Sequence, residues 1–194
     1  DLGVIFSAAD MTTAKQSGSA DRPVITADFP AKFMGAVKNR IGKAIPVGNE
    51  GAGTVIAAGS SAAAQALMGK TVAFIGGGSY RKFLRANVQS CLELESGTTA
   101  VEAASSFVNP LTALAMVETM RAEGHKAIVH AAAASNLGQM LNRICIADGI
   151  DLVNIVRKPE QEALLRDLGA KYVVNSSSDS FMADLTQALI ETGA

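Results

Sequence analysis

The chain has 194 residues, of which 48% are hydrophobic and 18% charged, with a formal net charge of −1. That balance predicts a filled core and argues against disorder, and it leaves no basic field to hold a nucleic-acid backbone. No apolar run approaches the roughly 18 residues that a membrane span needs and the start lacks a signal-peptide layout, so the expectation is a soluble chain with neither nucleic-acid nor membrane partners.

Cys91 and Cys145 lie far apart and cannot make a four-cysteine zinc site. Their bland surroundings predict two free thiols rather than a disulfide. His125 and His130 have no second His or Cys at ligand spacing, and are read as a polar residue before a strand and a strand residue near the core. The first residue is Asp1 rather than Met, which suggests a processed or trimmed product.

In chain order, Met11–Asp21 reads as a polar loop or frayed turn. Residues 31–43 carry helical spacing, with Phe33, Met34, Val37 and Ile41 on one face. Glycines at 48, 51 and 53 lead into a strand with 54–58 as its body. Strands are predicted over 71–75 and 80–86, joined by a turn at Gly76–Gly78, with another short extended piece over 91–94. Short strands with glycine turns suggest a small barrel-like β domain over residues 1–97.

The pattern changes at Thr98. A first helix has Thr98 or Thr99 as N-cap with Glu102 in its first turn. A second begins near Pro110, with Asn109 as cap, and stops at Gly124. Strands over 127–131, 152–156 and 171–175 then alternate with helices over 137–148, 159–168 and 180–191, the last capped by Ser178 or Asp179. This βαβαβα order predicts a right-handed parallel sheet with helices on both faces, in a domain spanning 98–194.

The turn after the first parallel strand, "AAAASNLG", is a dinucleotide-binding fingerprint with two glycines replaced. Anchored on Gly138, the three glycine positions read Ala133, Ser135 and Gly138. Small side chains still permit close approach of a pyrophosphate, a serine hydroxyl can donate to it, and the helix N-terminus supplies partial positive charge. At the end of the second strand, where an NAD site places a carboxylate for the ribose 2′-hydroxyl, the chain reads Val156-Arg157-Lys158, with no acid before Glu160. Two cations there suit a 2′-phosphate and hence NADP(H); the alternative is that they merely flank a helix start.

"VGNEGAGTVIAAGS", "GKTVAF", "FVNPLTALAMVETM", "VHAAAASNLGQMLNRI" and "LVNIVRK…LLRDLGAKYVVN" follow one another as in the medium-chain dehydrogenases/reductases, from Pro46 onward. Within that superfamily the chain most resembles the zinc-independent quinone oxidoreductases and mitochondrial 2-enoyl thioester reductases. The resemblance implies a GroES-like β domain and a Rossmann domain, with NADPH and a small-molecule substrate between them. It implies Thr112 beside the nicotinamide, Ser135, Asn136, Leu137 and Gly138 at the pyrophosphate, and Arg157 with Lys158 at the 2′-phosphate. Asn49 stands where zinc-dependent relatives have a metal-binding His, so no metal is expected; Asn49 and Tyr80 are expected at the substrate cleft. A cytoplasmic location, or the mitochondrial matrix, and a homodimer of the intact protein complete the expectation.

The chain departs from this pattern in three ways. Ser7-Ala8-Ala9-Asp10 stands where enoyl thioester reductases carry a tyrosine that supports proton transfer. Residues 18–45 form a longer insertion than is usual. The β domain lacks its first strands and the Rossmann sheet its second half, so the chain reads as a fragment. The function expected is NADPH-dependent hydride transfer to an electron-poor C=C or C=O; the alternatives are a non-catalytic cofactor-binding or scaffold member and, more remotely, a zinc alcohol dehydrogenase.

Overall fold

The computed structural model describes residues 8–194, so Ser7 and the stretch 1–6 used in the tyrosine comparison lie outside it. The chain divides into two compact units, one ending at Ala104 and the other spanning Ser105–Ala194.

The first unit opens with an antiparallel hairpin, β1 (Asp10–Ser19) and β2 (Arg22–Asp28), in place of the polar loop expected over Met11–Asp21. Both strands are exposed along nearly their whole length, so no apolar alternation marks them. They are held locally: Thr13 Oγ1 accepts from the amide of Asp28 at 2.8 Å, and Gly18, at φ 84°, turns where a Cβ would overlap the Arg22 carbonyl.

The helix expected over 31–43 is broken into a 3-10 turn (Ala31–Phe33), one α turn (Met34–Val37) and another 3-10 turn (Lys38–Arg40). None of the three has a side-chain cap, and Phe33, Met34 and Ile41 remain exposed. An apolar stripe without a surface to bury against does not sustain a short helix.

Strands β3 (Glu50–Thr54), β4 (Thr71–Ile75) and β5 (Cys91–Glu93) form an antiparallel sheet in that order. β3 runs over the glycines rather than over the predicted body at 54–58, because the pairing Glu50↔Ile75 to Thr54↔Thr71 places it there. The Phe74 ring occupies the space a Cβ on Gly51 would need, 2.9 Å away. Residues 80–86 are not a strand: β4 is paired on both edges, by β3 and β5, and has no edge left for them. The short helix Ala100–Ala103 has the predicted Thr99/Glu102 capping box and packs on β3 and β4.

The second unit is α1 (Val108–Ala122), β6 (Ala127–Ala131), α2 (Asn136–Asp148), β7 (Asp151–Val156), α3 (Pro159–Asp167), β8 (Tyr172–Asn175) and α4 (Phe181–Thr192). Its sheet is parallel, in the order β6-β7-β8, as the alternating pattern predicts. α1 starts at Val108, two residues ahead of the predicted Pro110, and the predicted cap of α4 by Ser178 or Asp179 falls instead at Ser180, which makes no side-chain cap bond.

β7 is buried on both faces, which is why it reads as nearly continuous apolar sequence. On one face Leu152 packs with Ala113, Val117, Leu141 and Cys145 from α1 and α2; on the other, Val153 and Val174 pack with Ala188 of α4. Leu141 and Leu165 are fully enclosed, each contributing about 1.5–3 kcal/mol of burial. α2 ends at Gly149 in the left-handed conformation, φ 67°, with its amide capping the carbonyls of Cys145 and Ile146. Among the described residues β6 pairs on one edge only.

Candidate nucleotide-binding site

The C-terminal ends of β6 and β7 lie side by side, in register from Ala127↔Asp151 to Ala131↔Ile155. In open parallel sheets the crevice beyond such ends is where ligands bind. Here it is edged by the loop between β6 and α2 and by the dibasic end of β7.

The loop is tight. Ala132 has φ 54° and is the sole non-glycine residue at positive φ among the described residues. Ser135 donates its amide to the Ala132 carbonyl at 2.9 Å, and Ala133 donates to the Ile155 carbonyl of the neighbouring strand at 3.2 Å. Sequence reasoning assigned the tight-turn role to Ala133; the strained residue is Ala132, one position earlier. No alanine announces a positive φ in a sequence, so no signal pointed to it.

Ser135 is the N-cap of α2, its hydroxyl oxygen accepting from the Gly138 amide at 3.2 Å. The hydroxyl hydrogen is left to donate outward. The amides of Asn136 and Leu137, the first two of the helix, have no acceptor within it and share the partial positive charge of its end. Gly138 has a steric role: a Cβ there would overlap the Ala133 carbonyl. These residues fit a pyrophosphate, through donors at a helix start and a backbone without bulky side chains at the approach.

Arg157 and Lys158 follow β7, both exposed, and neither forms an ion pair among the described residues. Lys158 is the N-cap of α3 and makes no side-chain cap bond. The amide of Arg157 donates to Oε1 of Gln161 at 3.0 Å, and its carbonyl accepts from Oγ of Ser177 at 2.9 Å. Sequence reasoning passed over Gln161 and Ser177; the glutamine three residues after a helix cap was the available signal.

Between β7 and α2 is a buried polar group, Asn154 with Asn142. Nδ2 of Asn154 lies 3.2 Å from the Tyr172 carbonyl, 3.3 Å from that of Leu152 and 3.4 Å from Oδ1 of Asn142. His130 stands opposite Asn154 in the ladder, and its Nε2 is buried with no partner among the described residues. Burial holds the His130 imidazole below its ordinary pKa, favouring the neutral ring.

Thr112 lies on α1, which packs against α2 and β6. Its hydroxyl donates to the Val108 carbonyl at 2.7 Å, so its remaining capacity is to accept. Asn49 and Tyr80 belong to the first unit, where their segments meet: Gly76 donates to the Asn49 carbonyl at 2.8 Å and Tyr80 to that of Val47 at 3.2 Å. The Tyr80 ring is exposed and packs over Gly48. A groove of about 930 Å³ also opens in this unit, with Val55, Phe74 and Leu84 among its apolar walls. Among the described residues no group of three His, Cys, Asp or Glu side chains could hold a metal ion, and no helix is long and apolar enough to cross a membrane.

No family model matches the chain. It is 32% identical over 133 residues to the mitochondrial enoyl-[acyl-carrier-protein] reductase of Rattus norvegicus, a stretch covering 66% of this chain and 36% of that protein. Among solved structures, one from Mesorhizobium loti assigned as an NADPH:quinone reductase shares 36% identity and a TM-score of 0.70, over 77% of this chain and 45% of that one. A mycobacterial protein solved with NADPH shares the fold at 21% identity and a TM-score of 0.65, over 93% of this chain and 54% of that one. The chain therefore spans about a third to a half of the length of these relatives. Its antiparallel sheet and its parallel βαβ unit correspond to the GroES-like and Rossmann parts of that architecture. In fold and in these stretches of sequence the chain is thus similar to quinone and enoyl reductases of the medium-chain dehydrogenase/reductase type.

Proposed function

We propose that the chain is the nucleotide-binding and part of the substrate-binding portion of an NADPH-dependent reductase acting on an electron-poor C=C or C=O, of quinone, enone or enoyl type. The observation that carries this reading is the pairing, at adjacent strand ends, of the Ser135-capped helix start with the exposed cations Arg157 and Lys158. When bound, NADPH supplies the hydride; the protein binds and orients.

In this reading Ala133 and Ser135–Gly138 hold the pyrophosphate, through the amides of Asn136 and Leu137 and the Ser135 hydroxyl. Arg157 and Lys158 hold the 2′-phosphate. Thr112, whose hydroxyl proton is engaged by Val108, accepts a hydrogen bond from the carboxamide of the nicotinamide. Asn49 and Tyr80 face the substrate. The chemistry proceeds without a protein-bound metal, with asparagine rather than histidine at position 49. The whole enzyme is a homodimer of the cytoplasm, or of the mitochondrial matrix, a location compatible with the mitochondrial rat relative.

The test is titration of NADPH and NADH by calorimetry, on the chain as it stands and on an Arg157→Ala/Lys158→Ala variant. The expected result is a preference for NADPH that falls by at least about tenfold in the variant, given the strength of charge-assisted bonds to phosphate. No binding of either nucleotide would sink the reading. Tight NADPH binding by the full-length protein without turnover of quinones, enones or enoyl thioesters would favour a non-catalytic cofactor-binding role, consistent with a Thr112 hydroxyl that is not free to donate a proton.

A further inference from the structure

We infer that Gln161 and Ser177 are positioning residues that fix the backbone of Arg157 and thereby set how strongly the site prefers a nucleotide carrying a 2′-phosphate. The inference rests on the reading of Arg157 and Lys158 given above, and adds two residues to it that touch no ligand themselves.

The β7–β8 ladder ends at Val156↔Asn175. Arg157 is therefore the first residue past the sheet, where an exposed backbone ordinarily bonds to water and samples several conformations. Both of its peptide groups are instead taken by side chains from separate segments. Gln161 Oε1, in the first turn of α3, accepts from the Arg157 amide at 3.0 Å. Ser177 Oγ, in the loop between β8 and α4, donates to the Arg157 carbonyl at 2.9 Å.

Each clamping residue is itself held or spent on this purpose. The Ser177 amide donates to Oδ1 of Asn175 at 3.0 Å. Ser176 bonds the Val156 carbonyl twice, from its amide at 2.8 Å and its hydroxyl at 3.0 Å. The β8–α4 loop is thus stitched along the end of β7 from Val156 to Arg157. In a capping box the third residue of a helix reaches back to the amide of the N-cap. Gln161 is that third residue, yet it reaches past the cap, Lys158, to the residue before it. The bond therefore serves Arg157 rather than the helix start.

A cationic side chain on a fixed backbone loses less freedom when it meets an anion, and that saving appears as affinity for the anion alone. The rest of a nucleotide does not report on it. This separates positioning from simple support of the fold.

The experiment compares adenosine 2′,5′-bisphosphate with 5′-AMP, which differ by the 2′-phosphate, in calorimetric titrations of the 194-residue chain. Variants are Ser177→Ala, Gln161→Leu, the two combined, and Ser177→Thr, which keeps the hydroxyl. The combined variant is expected to lose about fivefold to tenfold of the preference for the bisphosphate, with AMP affinity unmoved and Ser177→Thr close to wild type. A combined variant that keeps the full preference overturns the inference, and so does one that loses AMP affinity equally, since the residues would then support the fold. A wild-type chain that binds AMP and the bisphosphate alike overturns the reading of Arg157 and Lys158, and the clamp with it.

Discussion

Gly138 lies so close to Ala133 that a Cβ on the glycine would overlap the alanine carbonyl. The contact joins the first turn of α2 to the loop that precedes it, and Ala133 in turn is fully enclosed with Val156, Leu165 and Val173. Neither partner can retreat without disturbing the sheet.

Gly138→Ala is therefore expected to destabilise the second unit by about 2 kcal/mol or more, in the range of overpacked cores. The accompanying shift of the helix start should abolish nucleotide binding. Urea unfolding and the NADPH titration check the two effects separately; a variant with wild-type stability would mean that the loop yields at no cost.

Ala132 offers the opposite change. A left-handed residue with a Cβ carries about 1–2 kcal/mol of strain, while glycine adds about 0.4–1 kcal/mol of unfolded-state entropy. Ala132→Gly should accordingly stabilise the chain by about 0.5–1 kcal/mol, read from the urea midpoint. Destabilisation would show that the methyl group makes a contact outweighing the strain.

His130 makes stability depend on pH. Its folded pKa is held below the ordinary value of 6.5 by burial, so the unfolded chain binds the proton more readily. The stability contributed by the neutral ring is complete above about pH 6.5 and is lost as pH falls through the lower, folded value. His130→Phe should flatten the pH profile of the thermal midpoint between pH 7 and 5. An unchanged slope would assign that dependence to other groups.

The two thiols should differ in reactivity. Burial, with the nearby Asp148 carboxylate, pushes Cys145 up to about 11, and the residue is enclosed in the core; Cys91 is raised by burial alone and is only partly covered. Since the thiolate is the reactive form, iodoacetamide at pH 8 should modify Cys91 first and reach Cys145 only on unfolding. Peptide mass spectrometry following both sites in time checks the order, and simultaneous labelling would contradict it.

The parallel unit was legible because each signal there has a local cause. β7 is apolar because both its faces are covered, α2 begins at a serine that caps it, and it ends at a glycine in the left-handed region. The fingerprint loop could be placed from Gly138 despite its lost glycines. The first unit was less readable. β1 and β2 bury almost nothing, so their pairing left no alternation to detect, and the stripe at Phe33, Met34 and Ile41 suggested a helix that has no surface to rest on. Residues 80–86 are β-like in composition, but the pairing already present on β4 decided against them. At the site itself, Arg157 and Lys158 showed in the sequence by their charge and Ser135 by its hydroxyl, though not as a helix cap, whereas Ala132, Gln161 and Ser177 act through backbone geometry, which composition does not record.

The bond from the Ala133 amide to the Ile155 carbonyl makes the loop a third party to the β6–β7 pairing. Opening the loop to solvent means loosening the end of the ladder, and a ligand that holds the loop must oppose that opening. Nucleotide occupancy should therefore be readable as slowed hydrogen–deuterium exchange at the Ala133 amide, by a factor of about 1 + [L]/Kd. A single backbone proton then serves as a spectroscopic gauge of affinity, independent of any turnover.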